Sequence, residues 1–320
     1  MRVCITGAKV GAYGLDWGAV MSLEHIPVAL LLAVSMAVGL GGGIVKNYFC
    51  IKISNGPGDR QAYNGVTSLA AAVILLLWGG ISSVSMFTLI LGTAFGVITA
   101  LQQITSLQAM ERGPWAYTSV IISLSALIPS LSGTLFWNEH IVWPQIAGLA
   151  LMAGCLILSV DNKRDQKKAS LLWLFYCMIS FFCTGLIGVM QKWHQNSGSK
   201  SELNAFLVVA FLVSFVYSLV AWRFQHRRNR DNNGRAFGSW FPVVLMIGGG
   251  FSAAVINKLN LFLSGVMESA VFFPIVNGGG LVLTTAAAVV FFRERLTLKQ
   301  WIGLFLGILS VVFVCNPFNK

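Results

Sequence analysis

Seven polar side chains stand where an unpartnered polar group is costly. Gln102, Gln103, Asn257, Lys258, Asn260 and Asn277 each fall inside an apolar run, and Tyr117 lies near the start of another. Amides and ammonium groups within such runs belong on a bundle interior or a water-filled cavity, because hydrocarbon offers them no hydrogen bonds. Grouped around a cavity, the amides and the phenol would bind a small neutral or zwitterionic ligand. Lys258 would add a site for a carboxylate or phosphate, or a fixed charge that excludes cations. Asn277 sits in PIVNGGG, where Pro274 interrupts a helical hydrogen bond and three glycines leave room for a ligand near the backbone. Each amide has a plainer reading as an interhelical hydrogen bond. Lys258 has one as a side chain snorkelling to the interface, an objection that weighs more on Lys46 and Lys192. For Tyr117 the plainer reading is an interfacial aromatic belt, which is also the expectation for Trp173 and Tyr176.

The other reactive residue types form no constellation. All eleven carboxylates, Glu111, Glu139 and Glu294 among them, fall in connections or at helix ends. Glu139 and Glu294 open helices, where a carboxylate complements the helix N-terminus, so both read as caps rather than proton carriers. His25, His140, His194 and His226 are scattered, GLGGG follows no strand, and the six cysteines show no paired spacing. No enzyme centre, metal site or cofactor is expected.

Composition dictates what must position the polar set. A 320-residue chain that is 56% hydrophobic and 10% charged has more apolar surface than soluble cores can bury, so membrane lipid is its main solvent. The fold class is an all-α integral membrane protein of ten spans. They run Ile26 to Phe49, Ala62 to Gly79, Ser85 to Met110, Pro114 to Trp137, Ile141 to Val160, Leu171 to Gln191, Leu203 to Trp222, Trp240 to Leu263, Ala270 to Phe292 and Leu298 to Cys315. The net charge of +11 sits in the connections, as at Lys163, Arg164, Arg227 and Arg228, which is topological charge and not a nucleic-acid groove. Residues 1–25 form an N-terminal extension without the pattern of a signal peptide. No Asn-x-Ser/Thr sequon occurs, which fits a bacterial inner membrane.

The chain is also written twice. FWNEH from Phe136 answers FFRER from Phe291, pairing Glu139 with Glu294; GLGGGIVKNY from Gly39 answers GLIGVMQKWH from Gly185, pairing Lys46 with Lys192; Met110-Glu111 answers Met267-Glu268. The charged linker 161–170 separates a first five-helix repeat, 26–160, from a second, 171–316. Five is odd, so the second repeat enters the membrane inverted, the arrangement by which secondary transporters build two gates around one site. Glycines four apart, as Gly39/Gly43, Gly92/Gly96 and Gly303/Gly307, let helix backbones approach closely in lipid.

The block from Phe272 to Val314 resembles the end of an EamA-type module of the drug/metabolite transporter superfamily, and through both repeats the resemblance covers Ile26 to Cys315. It implies ten helices, a central cavity formed mainly by helices 1, 3, 4, 6, 8 and 9, and alternating access. For helices 5 and 10 it implies packing of one half on the other, or a homodimer contact. The related small multidrug exporters use a Glu in their first helix, and the first helix here has none. The expected function is therefore transport of a small neutral, zwitterionic or anionic metabolite. The alternatives are efflux of drugs or cations, and a non-transporting sensor or scaffold. The resemblance implies termini inside, whereas the Lys/Arg bias puts them outside.

Overall fold

The computed structural model describes residues 27–81, 83–113, 115–139, 171–228, 238–292 and 298–315, with short pieces between 143 and 154. Every regular element among these is a helix. In chain order they are α1 (Val28–Lys52), α2 (Pro57–Gly79), α3 (Met86–Arg112), α4 (Trp115–Ser123), α5 (Leu127–Trp137), α6 (Leu171–Gln195), α7 (Leu203–Arg228), α8 (Trp240–Val266), α9 (Ser269–Phe292) and α10 (Leu298–Cys315). Among the described residues eight stretches are long and apolar enough to cross a membrane, α4 and α5 supplying one between them. The helix α10 coincides with the expected tenth span. Most of the fifth span lies outside the described residues, as do residues 1–25 and the linker 161–170.

Local chemistry explains the ends. The Ser85 hydroxyl accepts the Thr88 N–H at 3.2 Å and caps α3. Pro57, which has no N–H to lose, opens α2. Gly80 at φ 59° ends α2 and Asn138 at φ 52° ends α5, both left-handed positions that favour these residue types. The expected fourth span is broken by a tight 3-10 turn at Leu124–Ala126. Pro129, inside the first turn of α5, crowds the carbonyl of Ser125 and favours that tightening.

Successive spans are antiparallel, α4 and α5 counting as one, so the bundle has a Val28 end and a Lys52 end. Gly113, closing α3 at the Lys52 end, lies against Trp173 at the start of α6, so α6 sets out from there. Most packing joins the first four spans to the second half. α1 lies on α8 and α9, α2 on α7 and α8, α3 on α6 and α7, and α6 on α4 and α5. Small residues permit this. A Cβ on Gly92 would stand 3.2 Å from the Phe206 carbonyl oxygen, and one on Gly96 would collide with that of Ala210. Beside them the rings of Phe95 and Phe206 meet edge to face, centroids 5.0 Å apart. Large apolar side chains such as Leu77 and Leu171 point outward, 84% and 87% exposed, as a lipid-facing surface requires.

Trp173 departs from the aromatic belt expected for it. It is buried, and its indole N–H donates to Thr118 Oγ1 at 3.1 Å. Tyr176 lies beneath the Arg112 guanidinium, 5.0 Å from the ring centroid.

Candidate functional site

Residues of α1, α3, α4, α8 and α9 line a cavity of about 240 Å3. It extends from Ser35, Ile256 and Asn277 to Lys46, Met110 and Trp115 near the Lys52 end. Trp115 is buried and forms one wall; a Cβ on Gly43 would come within 2.9 Å of its ring, so that glycine makes room for the indole. The expected sixth helix supplies no lining side chain, although α6 holds one of the lining residues in position. Gln102 lines the cavity, and its amide N–H approaches Ser180 Oγ on α6 at 3.4 Å.

Lys46 is the cation of this cavity. Its Nζ donates to Gln103 Oε1 at 2.8 Å and also contacts Ser106 Oγ. Glu111, the nearest carboxylate in chain order along α3, is held by Arg60 and by the Ser54 hydroxyl. Among the described residues no carboxylate lies within ion-pair distance of Lys46. An ammonium lodged between an amide, a hydroxyl and apolar walls attracts an anionic ligand group and repels a cationic one.

The sequence candidates divide. Gln102 and Asn277 line the cavity, and Gln103 stands behind Lys46. The Asn277 amide N–H donates to Phe273 O, one turn back, at 2.9 Å. The α8 trio sits elsewhere. Asn260 accepts from Ser35 Oγ at 2.7 Å, Asn257 donates to Ala253 O at 2.9 Å, and Lys258 Nζ lies 4.3 Å from the Trp78 ring centroid, beside the C-terminal end of α2. Tyr117 belongs to α4, and its side chain lies outside the described residues.

Lys46, Ser106, Ser119, Thr284 and Trp115 join the lining without having been among the candidate binding residues of the sequence. One signal pointed to Lys46, its pairing with Lys192 across the repeats. The hydroxyls gave none, since serine and threonine are common in apolar helices, where they bond their own backbone.

Lys192 has the opposite environment. Its Nζ lies 2.7 Å from Glu139 Oε1 and donates to Met267 O at 2.9 Å, Lys192 being buried and Glu139 mostly so. Glu139 also accepts the Ser269 N–H at 2.8 Å. It therefore caps α9, a helix of the other half of the chain; the start of the helix that follows Glu139 in sequence lies outside the described residues. Glu294 lies outside the described residues.

Among the described residues no three His, Cys, Asp or Glu side chains gather as a metal site. No curated protein matches the chain in sequence. A solved structure described only as a crystal structure of protein shares the fold, with TM-score 0.61 at 13% identity over 88% of this chain and 97% of that one. Residues 171–316 match the EamA-like transporter family, a likeness confined to the second half of the chain, and together with the eight apolar helices among the described residues it points to a multi-pass membrane protein.

Proposed function

We propose that the protein is a secondary transporter, in a bacterial inner membrane, that moves a small polar metabolite by alternating access between two inverted five-helix repeats. The observation that carries the substrate class is Lys46, an ammonium in the cavity without a carboxylate partner among the described residues. It favours a substrate with a carboxylate or phosphate, zwitterions included. It disfavours efflux of hydrophobic cations. The volume supports the same reading, since about 240 Å3 falls below the usual range of drug-sized sites, roughly 300–1,000 Å3.

Two features support the repeat arrangement. Ser35 on α1 bonds Asn260 on α8, and Ser180 on α6 bonds Gln102 on α3, so the first helix of each half gives a serine to an amide on the third helix of the other. The cavity also has Lys46 and Trp115 near the Lys52 end among its lining, while the buried Lys192–Glu139 pair lies at the Val28 end, so the two halves place their paired lysines at opposite ends of the bundle.

The test is uptake into proteoliposomes of L-lactate, L-malate, L-glutamate, L-serine and inorganic phosphate, by the parent chain and by Lys46→Ala. At least one compound should enter with the parent and not with the variant. Thermal stabilisation by a panel member without uptake of any would favour a sensor. Equal uptake by parent and variant would remove Lys46 from the site.

A further inference from the structure

The two lysines that answer one another across the repeats are in opposite states. Lys46 faces the cavity between an amide and a hydroxyl, whereas Lys192 is closed onto Glu139 and the Met267 carbonyl at the other end. The closed cluster draws on three places in the chain. Glu139 follows α5, Lys192 is in the last turn of α6, and Met267 and Ser269 flank the α8–α9 junction. Ser130 on α5 completes it from beneath, with its buried hydroxyl directed at Ser269 O at 3.4 Å.

We propose that Lys192 is a second substrate-binding cation, used in the opposite-facing state, and that Glu139 occupies it while the Val28 end is closed. The inference rests on the transport reading above. When the Val28 end opens, α9 moves off α5, Glu139 loses Ser269, and Lys192 is released to face the cavity as Lys46 does now. Glu139 then stands in for the anionic group of the substrate: a carboxylate on the ammonium in the closed gate, substrate on it in the open one. Such an exchange keeps a buried ammonium from being stranded without an anion, which is the costly state. It also couples the gate to cargo, because a substrate anion favours the state in which Lys192 is free of Glu139.

The pair can be taken apart with two neutralising variants, Glu139→Gln and Lys192→Met, each combined with Ser130→Cys as a reporter. Labelling with a membrane-impermeant methanethiosulfonate reagent from the Val28 end is read against the parent chain with its six native cysteines. Both variants should label Cys at position 130 at least tenfold faster. Uptake from the panel should slow but remain measurable in Glu139→Gln, which weakens closure yet keeps the ammonium, and fall at least tenfold further in Lys192→Met. A purely structural pair would lose uptake equally in both variants, and that result overturns the second cation. Unchanged labelling in both overturns the gate. The double variant carries no unpaired buried charge, so it serves where a single one does not fold; it should label fast and transport nothing, and slow labelling there overturns the gate as well. A parent chain that transports no panel member while its variants label fast would sink the transport reading and leave the gate standing.

Discussion

Lys46 Nζ donates to Gln103 Oε1 across 2.8 Å, and this bond aims a cation from α1 at a cavity largely walled by other helices. The amide accepts without neutralising. Full positive charge stays available to a ligand, which a carboxylate partner would have quenched.

Replacing Lys46 by Met removes that charge at nearly constant volume. A charge-assisted hydrogen bond contributes about 1.5–3 kcal/mol, so affinity for an anionic substrate should fall roughly 10- to 100-fold. Stability should hold or rise, because a half-buried ammonium without a carboxylate is costly to the folded state. Uptake rate and melting temperature, measured on one preparation, check both halves; a melting temperature lowered by many degrees would show Lys46 to be structural.

Lys258→Met should behave differently. Its ammonium lies over Trp78 and outside the cavity lining, so removing it forfeits a cation–π contact of about 0.5–2 kcal/mol. Thermal stability should drop while uptake stays within about threefold of the parent. Abolished uptake with unchanged stability would instead mark Lys258 as a binding residue.

These lysines also mark how far the sequence reaches. Eight spans are legible because length and apolar composition alone define a membrane helix. The amides stood out for the same reason. Direction is the missing information: spans such as α1 and α3 are apolar nearly all round, and nothing in their pattern says which face meets a neighbour. Lys46 looked free to snorkel and is turned inward by Gln103, while Lys258 looked central and lies on an aromatic ring. Glu139 was readable as a cap, yet its helix is supplied by the other half, a partnership that only long-range packing creates.

Asn260 accepts from Ser35 at 2.7 Å, tying α1 to α8 inside the bundle. Ser35→Ala and Asn260→Ala should each destabilise by about 0.5–1.5 kcal/mol, and a double-mutant cycle should return a coupling of about 0.6 kcal/mol, the usual size for such bonds in membrane proteins. Denaturation in detergent micelles measures it. Strict additivity would mean that the bond contributes nothing.

The sharpest packing test is at Gly96. A methyl group there would run into the backbone carbonyl oxygen of Ala210 and lie 2.9 Å from Val213 Cβ, and a helix backbone cannot step aside as a flexible side chain can. To admit it, α3 and α7 must part along their contact, loosening the Phe95–Phe206 pair beside them. Gly96→Ala should therefore cost about 1–3 kcal/mol or more, the range for overpacking a close contact. Gly41→Ala is the matched control, because nothing lies within 4 Å of a Cβ at that position. With no clash to offset the better helix propensity of alanine, it should be neutral or stabilising by up to about 1 kcal/mol. Unfolding of the two variants under one detergent condition decides the matter: if both glycines tolerate alanine alike, the α3–α7 approach is not as close as a collision with Ala210 demands.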